Sequence, residues 1–544
     1  MAPEALAPEE SRVSSLRAPR WTLAVPLVLH GLLAGIYLFL LPLWGSVPDE
    51  PLHYSHMRYV AHHWRLPLIS APFRDLQEYY FIDDPAGTAA HGPVYYWPGA
   101  VLYTLTQGMS LHDQQYVIRA YSFVLGLLMV YTAWRAFALL FAGDPWVVFA
   151  ATVLTTVMPH RLMISSVIYL DSMAALTSTV SLWALVAAVY SAPQRGWRPW
   201  LWAGAALGLA VLTKQTGLVL VPGALVAWGC CWRETRVALR TAATWLGAAT
   251  LGALTVCGWW YVRNGVVYGQ IMPMEPRNEQ QTWLDVLLTG QSAWYLWFVT
   301  RGFWLSLWSQ VGWLPPAAVK PMYGTLLGVT AVLLVGIVAG SRQGYRGLPP
   351  QALCLLSSFG VTVATTWVAA LQWVVMFPHN NEETGKHAQA ILVALVALAA
   401  AGWRYLLGPR RVAPLLLAGA GLMLVFNGLS IYHLATDLIP RYARPDPPLA
   451  SWKVKDLPTR GVPGVQYGPD IPGGSDIHGQ KGHNPDTGQQ VAWDGAEEIE
   501  DAHPKEGDGG QRYEHVPSAG VELDVHGPEG PLLASEDESR VQAR

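Results

Sequence analysis

The chain has 544 residues, of which 52% are hydrophobic and only 13% charged, and its 35 Lys and Arg against 38 Asp and Glu leave a net charge of −3. Soluble domains carry about 25% charged residues, so half that value excludes an ordinary soluble enzyme and points to a membrane protein. The near-neutral balance argues against a nucleic-acid partner, and the lack of a P-loop, a glycine-rich dinucleotide turn or a Cys/His zinc spacing argues against an ATP-driven pump.

In chain order, residues 1–20 are polar and carry Arg12, Arg17 and Arg20. The apolar run from Trp21 to Trp44 is too long for a signal-peptide core and reads as an uncleaved first span behind a cytoplasmic tail. Crossing a bilayer as helix takes roughly 17–25 apolar residues. Runs near 21–45, 117–142, 146–160, 164–190, 199–213, 216–232, 241–262, 322–341, 352–376, 388–407 and 412–434 meet or approach that length. The fold class expected is therefore an all-α polytopic membrane protein with about eleven transmembrane helices, occupying residues 21–435. With the N-terminus inside, Arg195, Arg198, Arg233, Arg236, Arg240, Arg342, Arg346, Arg404, Arg410 and Arg411 all fall on the cytoplasmic side. The opposite short loops offer chiefly Arg161, Lys214 and Lys386. That bias sets the orientation and puts two large loops, 46–116 and 263–321, outside. The expected location is a plasma membrane, the inner membrane of a bacterium, with the site facing the periplasm or the exterior.

The first outer loop is more than a linker. Leu52 to Arg65 can form a short helix along the membrane surface carrying His53, His56, His62 and His63, and the aromatic run Tyr95-Tyr96-Trp97 suits an interfacial helix. Cys230, Cys231, Cys257 and Cys354 lie in or at the ends of apolar segments and read as small apolar filler. From about Pro445 to Arg544 the chain is rich in Gly, Pro, Asp, Glu and His, which predicts a disordered tail.

The candidate chemistry starts at Pro48-Asp49-Glu50-Pro51, where a span ends. A carboxylate there can take a proton from an attacking hydroxyl or hold a divalent metal; an Asp before a helix-starting Pro can equally be a plain cap. His53 can share a helical face with both acids. Asp83-Asp84 reads locally as a turn. Asp171, in an apolar segment, should be paired or face an aqueous cavity. Lys214, Arg263 and Lys386-His387 put cations at outer span ends, where they can face one anionic phosphate or reach for lipid headgroups. Separated acids and cations on one face suggest a lipid-phosphate substrate and a hydroxyl or amine to activate.

The order of these features resembles the GT-C superfamily of polytopic glycosyltransferases. The matching pieces are Pro48-Asp49-Glu50-Pro51-Leu52-His53-Tyr54, Arg58-Tyr59, Arg65-Leu66-Pro67, His91-Gly92-Pro93-Val94-Tyr95-Tyr96 and Arg119-Ala120-Tyr121-Ser122. Leu207 to Lys214, Gly258-Trp259-Trp260-Tyr261-Val262-Arg263-Asn264 and Phe303-Trp304 to Gly312-Trp313 continue the series, which covers residues 15–435. The resemblance, to protein O-mannosyltransferases and the aminoarabinose transferase among others, implies sugar transfer from a polyprenyl-phosphate donor at the outer membrane face. The acceptor would be a glycan, lipid or protein. It implies Asp49 as general base with Glu50 beside it as the catalytic pair. His53, His91, Asp171, Lys214, Arg263, Lys386 and His387 would bind substrate, and a divalent metal is left open. Gly385-Lys386-His387 stands where many relatives have Gly-Arg-Tyr, so lysine keeps the charge but loses the bidentate fork. The rival expectation is a transporter or flippase of lipid-linked intermediates, which would place charges along a path through the bilayer.

Overall fold

The computed structural model describes residues 18–41, 50–68, 86–273, 292–308, 323–342, 344, 348–376 and 388–439. The described chain is helical: α1 (Trp21–Leu40), α2 (Glu50–His63), α3 (Tyr96–Leu105), α4 (Leu111–Leu140), α5 (Pro145–Thr156), α6 (Pro159–Ile164), α7 (Leu170–Arg195) and α8 (Arg198–Thr213). There follow α9 (Leu220–Thr235), α10 (Leu239–Ala253), α11 (Trp259–Tyr268), α12 (Ser292–Trp308), α13 (Tyr323–Arg342), α14 (Pro350–Met376), α15 (Leu392–Leu407) and α16 (Pro409–His433). Among the described residues, 8 helices are long and apolar enough to cross a membrane, and Pro145–Thr156 and Leu326–Arg342 are shorter apolar helices. Each expected span coincides with a helix, so the chain is an all-α, integral, multi-pass membrane protein.

Local chemistry sets the helix ends. Ser110 accepts a hydrogen bond from the Asp113 backbone N–H at 3.1 Å and caps α4. Gly143, at φ +88°, takes the left-handed turn after α4, and Asp144 caps α5 with Pro145 following at its first position. The helices then close on small residues. A Cβ on Gly204 or Gly208 of α8 would strike the backbone of Ala249 or Ala253 on α10, so only glycine permits this approach. Asn427 of α16 ties three elements: it accepts from Tyr37 of α1 at 2.9 Å and donates to the Val157 carbonyl after α5 at 2.8 Å. The main apolar core lies where α4, α5, α7, α15 and α16 meet.

Several boundaries differ from the sequence expectation. Arg263 does not end its span, because a π-helical turn at Leu254–Gly258 joins α10 to α11 and the helix continues to Tyr268. The stretch expected to form the second outer loop contains a 17-residue helix, Ser292–Trp308. Helix α2 forms where a surface helix was expected, but its middle is buried on every face, and only its last turn is exposed at His62 and His63: His53, Tyr54, Ser55, His56, Met57, Arg58, Tyr59 and Val60 are each 5% exposed or less. Its aromatic and polar side chains pair with one another and with α3, which removes the need for a solvent-facing side. Asp49, Asp83, Asp84, Lys386, His387 and the 445–544 tail lie outside the described residues.

Candidate functional site

The site is assembled at the end of the bundle where α2 begins. Glu50 sits in the first turn of α2 and meets Arg119, from α4, in a buried two-pronged ion pair. Nε donates to Oε1 at 2.7 Å and Nη2 to Oε2 at 2.6 Å. The Ile168 backbone N–H, just before α7, donates to Oε1 at 3.0 Å. The remaining nitrogen of Arg119 donates to the carbonyls of Leu38 and Leu41 at the end of α1, at 3.1 and 2.7 Å. One guanidinium and one carboxylate thus fasten α1, α2, α4 and the start of α7 around the residue that follows Asp49.

One turn along α2, His53 Nδ1 lies 2.8 Å from the Tyr96 hydroxyl, and the imidazole meets the Tyr169 ring edge to face at 5.1 Å. His56 stacks flat on Tyr96, with centroids 3.5 Å apart, and its Nδ1 lies 3.2 Å from Thr88 Oγ1. Tyr95 pairs with Ser122 of α4 at 2.9 Å. The aromatic run that opens α3 therefore serves as a clamp for the α2 histidines.

The second ion pair joins the two helices of the next hairpin. Lys214, at the end of α8, places its Nζ 2.8 and 2.9 Å from the two carboxylate oxygens of Asp171, in the first turn of α7. The expectation that a carboxylate at this depth be paired is met, and its partner is one of the cations read as phosphate-facing. His91 is held beside this pair by backbone shape. A Cβ on Gly92 would land on the Leu212 carbonyl, so the His91-Gly92-Pro93 turn lies directly against the last turn of α8. Burial holds the His91 imidazole well below the usual histidine range, aided by the charges of Lys214 and His53 and opposed by Asp171. Among the described residues its buried Nδ1 has no hydrogen-bond partner. The His56 ring is lowered in the same way, by burial first and then by His53.

The structure thus gathers Glu50, His53, His91, Asp171 and Lys214. Arg263 stands apart: its guanidinium lies 4.8 Å from the Trp260 ring centroid, and it lines a cavity of about 370 Å³ with Arg65, Tyr59, Trp97 and Trp259. Among the described residues, no hydrogen bond or ion pair joins Arg263 to Asp171 or Lys214. Sequence reasoning did not foresee Arg119 as the partner of Glu50; its signal was a lone cation inside an apolar span. It placed Arg161 only among the outer-side cations; among the described residues none of its three buried guanidinium nitrogens is hydrogen-bonded. Among the described residues no group of three or more His, Cys, Asp or Glu side chains is placed to hold a metal ion. Both oxygens of Glu50 are already engaged by Arg119.

Residues 90–261 match the sequence model of the dolichyl-phosphate-mannose-protein mannosyltransferase family. No curated protein sequence matches the chain. Among solved structures it is similar to the Saccharomyces cerevisiae protein O-mannosyltransferase Pmt1–Pmt2 complex bound to its sugar donor, at 20% identity over 49% of this chain and 36% of that one, TM-score 0.34. It is also similar to the Archaeoglobus fulgidus oligosaccharyltransferase with a tethered acceptor peptide, at 15% identity over 81% of this chain and 56% of that one, TM-score 0.43. A third is ArnT from Cupriavidus metallidurans bound to undecaprenyl phosphate, at 18% identity over 81% of this chain and 82% of that one, TM-score 0.33. The chain spans 36% and 56% of the length of the first two. The GT-C resemblance drawn from the motifs is met by the family match across the segment that carries His91, Arg119, Asp171, Lys214 and the end of α10.

Proposed function

We propose that this chain, of the GT-C type over residues 90–261, is a membrane glycosyltransferase that moves a sugar from a polyprenyl-phosphate donor to an acceptor hydroxyl at the outer membrane face. Asp49 takes the acceptor's proton as its oxygen attacks the anomeric carbon. The bond from that carbon to the phosphate oxygen breaks, and polyprenyl phosphate leaves with the electron pair. Glu50 is a positioning residue, because its clasp on Arg119 fixes the backbone beside Asp49. Lys214 shares its ammonium between Asp171 and the departing phosphate, which is where electrostatic stabilisation has most effect. His53 and His91 line the acceptor side as hydrogen-bonding groups. Arg263, Lys386 and His387 lie on the path of the lipid phosphate.

The observation that carries this reading is the presence of two buried ion pairs, Glu50–Arg119 and Asp171–Lys214, linked through the start of α7, where the Ile168 N–H donates to Glu50. Holding four charges in a membrane protein's interior is costly, and such groups mark function. The test is mass spectrometry of glycolipids, surface glycans and glycoproteins from cells with and without the protein. Loss of one defined sugar is expected. An unchanged sugar inventory, with a lipid-linked intermediate stranded on one leaflet, would favour a flippase instead.

A further inference from the structure

The end of the bundle opposite the Asp171–Lys214 pair holds a second feature. Helices α7 and α8 form a hairpin whose turn carries Arg195 and Arg198, while Asp171 and Lys214 close its other end. Along one face of this hairpin runs a groove of about 1070 Å³, lined by Ala184, Ala187 and Ala206 along its length and by Arg195 and Arg198 at its mouth. Trp202 flanks it one turn in from Arg198 and is 72% exposed.

We propose that this groove binds one phospholipid with a net negative headgroup, in the leaflet opposite the proposed transfer site. Three features fit that occupant. The alanines leave a furrow between two helices where larger side chains would fill it, and a furrow facing hydrocarbon takes an acyl chain. Its stretch of α7, Val180 to Arg195, rises about 22 Å at 1.5 Å per residue, enough for one leaflet of a core about 30 Å thick plus a headgroup. The mouth presents two guanidinium groups, and no carboxylate lies among the described lining residues. Basic pockets between spans at the cytoplasmic face suit anionic headgroups, and guanidinium forks match phosphate oxygens. The inference does not depend on the proposed sugar transfer. A lipid here braces the hairpin whose far end holds Asp171 and Lys214.

The test uses the full chain purified in an uncharged detergent, with dioleoylphosphatidylglycerol, dioleoylphosphatidylcholine or undecaprenyl phosphate added separately. Native mass spectrometry should show one phosphatidylglycerol retained in preference to phosphatidylcholine, with a raised unfolding midpoint. Arg195→Gln/Arg198→Gln, at two exposed positions, should weaken that retention by about tenfold or more, and Arg195→Lys/Arg198→Lys should recover part of it. Arg233→Gln/Arg240→Gln, at the same end on α9 and α10, should leave it intact. Ala187→Trp should block it with both arginines present. Equal retention of phosphatidylcholine, equal loss in the Arg233/Arg240 pair, or no loss in the Arg195/Arg198 pair would overturn the proposal. So would displacement of phosphatidylglycerol by undecaprenyl phosphate, which would make the groove a substrate-lipid site.

Discussion

Arg119 grips both carboxylate oxygens of Glu50, at 2.7 and 2.6 Å, across 69 residues of sequence, and neither side chain is more than 2% exposed. This clasp decides where the chain next to Asp49 can be. Breaking a buried pair by removing one partner typically costs about 3–5 kcal/mol, because the other charge is left uncompensated. Glu50→Gln and Arg119→Met should each lower the thermal midpoint of the purified protein sharply. Glu50→Gln/Arg119→Met should lose clearly less than the sum of the two. Additive losses would show that the pair is not coupled.

The Asp171–Lys214 pair separates structure from chemistry. Either single change, Asp171→Asn or Lys214→Met, leaves a buried charge and should destabilise the protein. Combining them removes both charges and should recover much of the midpoint. Transfer should stay lost in the double variant, because the proposed leaving phosphate has lost its ammonium. Recovery of transfer along with stability would make the pair purely structural.

Protonation gives a third test. Burial holds the His56 and His91 imidazoles well below the usual histidine range. In the unfolded chain the same rings take up protons near pH 6.5. Below that pH the unfolded state binds more protons than the folded one, so stability falls as pH falls from about 6.5 toward the lowered folded values. The unfolding midpoint should drop between pH 7 and pH 5. His56→Asn/His91→Asn should show a shallower drop; an unchanged slope would remove these two rings from the account.

Gly92 offers a steric probe. A methyl group there meets the Leu212 carbonyl, which is backbone and cannot swing aside. Gly92→Ala should cost about 1–3 kcal/mol of stability, as overpacking does. It should also reduce transfer by moving His91 away from Lys214. A variant with native stability and native transfer would show that the close approach has no role.

Much of this was legible in the sequence because apolar runs announce spans whatever packs against them. The pairing of Asp171 could be anticipated from depth alone, since a lone carboxylate there would be too costly. Its partner could not, because 43 residues and a helical hairpin separate it from Lys214. The identity of Arg119 as the partner of Glu50 was hidden for the same reason. Burial of α2 was missed because its residues, Glu50 to His63, include Glu50, Arg58 and four histidines, a composition that reads as solvent-facing. The helix is instead held by stacking and hydrogen bonds with Tyr95, Tyr96 and Tyr169, which periodicity does not register. The turn at Gly92 was visible as a His-Gly-Pro motif, but only the approach of α8 explains why glycine is required there.

The central claim is that the acid next to Glu50 is the base for sugar transfer. It is tested most directly by comparing Asp49→Asn with the unaltered protein at equal membrane abundance and equal unfolding midpoint, reading the sugar that depends on the protein by mass spectrometry. General-base assistance contributes typically about 10²–10⁴-fold. The account predicts that Asp49→Asn loses the dependent sugar almost completely while the fold, clamped by Glu50 and Arg119, is unchanged. Full retention of that sugar by a properly folded Asp49→Asn protein would contradict it.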